Sequence, residues 1–144
     1  MKPGSLLIPV VLIVLTVIGC KKNSGGKPTL TLESINTTVQ PNDSMRSTFK
    51  FTSGGALGNG TFGSIRIRLN QLPATNPSGG DTIGTPIPSF SGSNGEFRYA
   101  LPWQGYLSET AGQNDTVIFK FFVLTADSVS SDTVTSPQVV ILNP

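Results

Sequence analysis

The chain has 144 residues, no histidine and a single cysteine, Cys20. The lack of imidazole removes the usual general base, the Ser-His-Asp arrangement and the commonest metal ligand, and one thiol alone cannot form a disulfide within the chain. Four of the ten basic residues (Lys2, Lys21, Lys22 and Lys27) precede Pro28, so residues 28–144 set six cations against all eight acids, a net charge of −2 that gives a nucleic-acid partner no support.

Residues 1–5 (MKPGS) put one positive side chain beside the amino terminus, and 6–18 (LLIPVVLIVLTVI) are apolar, broken only by Pro9 and Thr16. A membrane span needs about 20 such residues, so this shorter run fits the apolar region of an export signal. Gly19 is the small residue before Cys20, and 17–20 (VIGC) resembles the lipobox of bacterial lipoproteins, in which the cysteine is acylated and the preceding signal removed. An N-terminal anchor helix that happens to end in cysteine is the alternative. On the lipobox reading, 1–19 are the signal peptide and Cys20 becomes the lipid-bearing first residue. Each buried methylene contributes about 0.8 kcal/mol, and two or more acyl chains hold a protein stably at a membrane. Residues 20–28 (CKKNSGGKP) then form the lipidated cysteine and a flexible tether, whose lysines suit anionic lipid headgroups. Residues 29–144 are left as one domain.

Within that domain, Gly, Pro and short runs of β-branched and aromatic residues point to strands and turns. Residues 29–32 turn Leu30 and Leu32 to one side. Residues 45–52 place Met45, Phe49 and Phe51 on one face, with Arg46, Thr48 and Lys50 on the other. Over 64–72, Ile65, Ile67 and Leu69 alternate with Arg66, Arg68 and Asn70, which predicts the aliphatic set inward and the arginines outward. A short strand is expected within 81–87. Residues 96–101 repeat the alternation, with Phe97, Tyr99 and Leu101 facing in. The run 116–125 (TVIFKFFVLT) is apolar on both faces apart from Lys120, as a central strand is. A last strand, 138–142, follows Pro137. About seven strands at this spacing predict an all-β, immunoglobulin-like or fibronectin type III-like antiparallel sandwich.

The lipobox, the lysine-rich tether and the ending F-x-F-F-V-L (119–124) with S-P-Q-V-V-I-L (136–142) are together similar to small Bacteroidota lipoproteins in which one immunoglobulin-like domain follows the lipidated cysteine. The resemblance implies an envelope location, at the outer membrane facing periplasm or cell surface. Most such relatives have no assigned activity. Many carry an acid-rich loop after the second strand; here 53–58 reads SGGALG, without the carboxylates a cation site there would need.

No catalytic constellation emerges, and neither enzyme activity nor a cofactor or metal is expected. Lys50 and Lys120 read as solvated strand charges, and Asp127 and Asp132 as turn formers before weak calcium ligands. All five aspartates precede Ser or Thr and then an apolar residue, a pattern similar to the O-glycosylation sequon of exported Bacteroidota proteins. The acceptors would be Ser44, Thr82, Thr116, Ser128 and Thr133. Asp-Ser/Thr turns that simply lead into strands are the competing explanation.

Two surfaces could bind a partner. If 64–72 pairs with 116–125, Arg66 and Arg68 are expected beside Ile118, Lys120, Phe122 and Leu124 on an outer face, an interface-like composition unless 73–95 folds over it. Trp103 and Tyr106, on the loop after Pro102, could stack on a sugar ring, or Trp103 could plug one end of the sandwich. The expected function is therefore a non-enzymatic, membrane-anchored module that binds or scaffolds an envelope protein, with glycan binding through the loop aromatics as the alternative.

Overall fold

The computed structural model describes residues 26–53, 60–70, 82–87, 93–108 and 112–144. The apolar run 6–18, Cys20, Asp81 and most of 73–95 lie outside the described residues, and so do the expectations placed on them.

The strands are β1 (Thr29–Ile35), β2 (Thr38–Val39), β3 (Ser44–Thr52), β4 (Thr61–Arg68), β5 (Thr82–Pro86), β6 (Asn94–Pro102), β7 (Asp115–Leu124), β8 (Val134–Thr135) and β9 (Val139–Ile141). One sheet has the order β1-β3-β6. The other runs β2-β9-β7-β4-β5, with β8 paired to β7 beside that path. Among the described residues only the β2–β9 pairing is parallel. After β1 the chain changes sheets to supply β2, the strand crossing of an immunoglobulin-like sandwich, and the expected fold class is the one observed.

The sequence periodicity explains most of this. In β3, Met45, Phe49 and Phe51 face in, as do Phe97, Tyr99 and Leu101 in β6. Strand β7 lies centrally between β9 and β4, with Val117, Phe119, Phe121 and Val123 fully buried on its inner face. Phe49 sits at the middle of the core, its ring centroid 5.0 Å from Phe62, 5.4 Å from Phe97 and 4.8 Å from Phe121. The two sheets thus meet through aromatic rings, each contributing roughly 1.5–3 kcal/mol by burial.

Strand β4 reverses one expectation. Its inner face carries Phe62, Ser64, Arg66 and Arg68, while Ile65 and Ile67 point outward and Leu69 is exposed. The register shows why: Phe62 lies opposite Val123, Ser64 opposite Phe121 and Arg66 opposite Phe119, all inner-face residues of β7. Phe62 packs on Phe49, Phe97, Tyr99 and Phe121, so its place in the core fixes the parity of the whole strand. Arg66 and Arg68 fall at the end of the sandwich, where a long side chain reaches polar partners without crossing the core.

Between β7 and β9, serine hydroxyls complete the backbone ladder. Ser136 Oγ accepts the Phe119 N–H at 2.9 Å, and Ser131 Oγ accepts that of Val123 at 3.0 Å. Two turns use left-handed residues other than glycine. In 40–43, Pro41 precedes Asn42 (φ 64°) and the Asp43 N–H donates to Gln40 O, the pattern of a type II turn. At the tip of the β7–β8 hairpin, Ser128 holds φ 63° and its N–H donates to Thr125 O.

Candidate functional site

The end of the sandwich below β4 gathers several residues that the sequence kept apart. Residues 103–107 (WQGYL) form a wide turn closed by the Ser108 N–H on Trp103 O at 2.8 Å, with Gly105 at φ 83°. Leu107 of that turn is fully buried. Trp103 is half-buried against the core, and its indole N–H donates to Leu142 O at 2.9 Å, tying the turn to the end of β9. Trp103 thus fills the end of the sandwich, with its polar edge already bonded. Tyr106 points the other way and is 52% exposed. Its carbonyl accepts a 2.9 Å hydrogen bond from Arg66 Nη1, which joins the predicted arginine to the predicted aromatic loop from inside.

Beside it, Arg68 Nε lies 3.7 Å from the fully buried carboxylate of Asp115, the first residue of β7. Arg66 and Arg68 therefore brace the end of the domain and are absent from the outer face where the sequence pattern put them. A desolvated pair of this kind holds geometry more than it adds net stability.

The outer face of the β4–β7 pair is instead aliphatic and aromatic. Ile65, Ile67, Ile118, Phe122 and Leu124 are half-buried there, with Lys120 among them. Phe122 was predicted on this face and lies directly opposite Gly63. Ile65 and Ile67 were missed, and the missing signal was the buried Phe62, three and five positions earlier and so of opposite parity.

A cleft of about 120 Å³ opens where the β5 and β6 edges of the two sheets face each other, lined chiefly by Phe62, Thr85, Ile87, Phe97 and Tyr99. The Tyr99 hydroxyl and Ser64 Oγ are hydrogen-bonded at 3.0 Å. Burial pushes the Tyr99 hydroxyl above the usual phenol range, with hydrogen bonds to Ser64 and Thr85 offsetting part of the effect. On the three-stranded sheet, Lys50 donates to Glu33 at 2.9 Å, and that bond holds its ammonium above the usual range.

The five sequon acceptors divide by position. Thr82, Ser128 and Thr133 are exposed, at the start of β5, the hairpin tip and the approach to β8. Ser44 and Thr116 are half-buried within strands. Their aspartates are also engaged: the Ser44 N–H and then Arg46 hold the Asp43 carboxyl below its usual range, and Asp115 is buried at Arg68. Asp132 is ion-paired with Lys27, and among the described residues no three acids or other metal-binding side chains form a cluster.

No protein-family model and no curated protein matches this sequence. Solved structures with a similar strand arrangement include a Niemann-Pick type C2 protein from Japanese carpenter ant (12% identity, TM-score 0.45, 81% of this chain and 96% of that one). A β-glucosidase from Listeria innocua, in complex with gluconolactone, also aligns (9% identity, TM-score 0.45, 80% of this chain). The alignment spans 16% of that much longer chain. The likeness is one of strand arrangement.

Proposed function

We propose that this chain is a non-enzymatic lipoprotein of the bacterial outer membrane, anchored through acylated Cys20, whose sandwich docks an envelope protein through the outer face of β4 and β7. The observation that carries the reading is the aliphatic and aromatic stripe of Ile65, Ile67, Ile118, Phe122 and Leu124, half-exposed on a face whose counterpart residues already fill the core. An apolar patch of this kind, set around one lysine, has the composition of a protein interface core. The export signal and lipobox supply the location, and the basic tether gives the domain reach from the lipid surface.

Crosslinking and pull-down of the tagged full-length chain from native membranes tests this. A reproducible protein partner is expected with the unsubstituted chain and is expected to be lost with Ile67→Glu, whose melting temperature stays near that of the parent. Recovery of the chain alone, or of the same partner with the variant, would reject the outer face as the docking surface.

A further inference from the structure

Every open sheet has edges that invite another strand, and proteins blunt them by shortening, bulging or proline. Among the described strands, four of the five open edges are short or interrupted. Strands β2 and β8 have two residues each, β5 has five, and β1 is interrupted by a register shift between Leu32 and Ser34. Strand β6 differs. It pairs with β3 over nine consecutive residues, Asn94 to Pro102, without a break in register. Among the described residues nothing pairs with its other side.

The direction of its backbone groups is set by two hydrogen bonds at its ends. Ser53 N–H donates to Ser93 O, and Trp103 N–H donates to Asp43 O. Odd-numbered positions of β6 therefore bond to β3, and Asn94, Glu96, Arg98 and Ala100 turn their N–H and C=O groups to the open edge. The same four residues point their side chains into solvent. Among the described residues neither Glu96 nor Arg98 is in an ion pair: Lys50, opposite Glu96, gives its hydrogen bond to Glu33 and meets Glu96 only as a weaker, more distant charge, and Arg98 lies opposite Thr48.

From this edge we infer that two copies of the chain pair through β6, antiparallel about a two-fold axis at Phe97. In that register Glu96 of each copy faces Arg98 of the other, and Asn94 faces Ala100, so the outward N–H and C=O groups of these four residues meet partners and only the terminal Pro102 lies past the paired stretch. An axis at Glu96 or at Arg98 would set like charges face to face, which is destabilising. An axis at Tyr99 would set Glu96 against Pro102, which has no N–H. The charges thus select one register. The pairing also covers the lip of the cleft beside β6, where Phe97 and Tyr99 retain 9% and 8% exposure while the core residues of β7 have none. This surface lies on the sheet away from the β4–β7 face and stands independently of what that face binds.

The full-length chain in native membranes, carrying N94C and A100C together, is expected to form a disulfide-linked dimer on mild oxidation, while N94C alone does not. In detergent solution, sedimentation is expected to show a concentration-dependent dimer that R98E weakens by about tenfold and that the charge-swapped E96R/R98E restores. A chain that stays monomeric overturns the inference. So does a dimer indifferent to R98E, or one that E96R/R98E fails to restore.

Discussion

The ring of Phe122 lies on Gly63, its direct cross-strand partner, so that a Cβ added at that glycine would fall inside contact distance of three ring carbons. The bare backbone of Gly63 is what lets Phe122 lie flat on the outer face of β4, where a larger neighbour would lift it into solvent.

Gly63→Ala is accordingly expected to destabilise the domain by roughly 1–3 kcal/mol, because the ring has to move. Phe122→Ala removes the obstacle. In chemical denaturation the double variant should fall short of the sum of the two singles, and strict additivity would mean that the ring and the glycine are independent.

Ser136→Ala is expected to cost about 1–3 kcal/mol, since the buried Phe119 N–H loses its side-chain acceptor. Ser130→Ala, at an exposed position of the same hairpin, serves as the comparison and should change the unfolding midpoint little.

Asp115→Ala leaves the Arg68 guanidinium at the end of the core without its carboxylate. A loss of about 3–5 kcal/mol is expected from breaking one side of a buried pair. Substitution of both residues by apolar ones of similar volume should cost much less, and equal losses would show that the ion pair contributes net stability.

Tyr99 predicts an alkaline limb in the stability profile. Its folded value lies above the ordinary phenol value of 10.0, so the folded state keeps its proton where the unfolded chain gives it up. Stability is fully present below pH 10.0 and falls as the pH rises through the folded value. Tyr99→Phe should flatten that limb while lowering stability at neutral pH by the lost Ser64 bond. An unchanged slope would place the effect elsewhere.

Trp103 should be poorly quenched by acrylamide, and glycans should leave its fluorescence unchanged, because its ring packs on the core and its N–H is bonded to Leu142. For modification, intact mass of the native protein is expected to fall by one glycan unit at most when Thr82, Ser128 or Thr133 is replaced, and not at all for Thr116. Ser128→Gly is the mildest of these tests, since its φ of 63° suits glycine.

Strands β3, β6 and β7 were legible because large apolar residues alternate in them over many positions, and only one parity buries those rings. Strand β4 was legible as a strand but not in its orientation. Counting from Ser64 weighs three aliphatic residues against two arginines and an asparagine, whereas including Phe62 reverses the choice. A fully enclosed ring outweighs isoleucines that remain half-buried on the outer face. Strands β2 and β8, at two residues each, are too short to show any period. The bond from Arg66 to Tyr106 and that from Trp103 to Leu142 depend on which ends the topology brings together, which local pattern does not encode.

The parallel pairing of Thr38 with Val140 has a kinetic consequence. It joins the second strand to the last, from opposite ends of the domain, so one edge of the larger sheet closes only after nearly all the intervening chain has been made and placed. Such distant contacts slow folding, since the intervening loop must be ordered before they form. A chain synthesised amino terminus first thus holds β2 without its partner until β9 arrives, and the sandwich stays incomplete through most of its own synthesis.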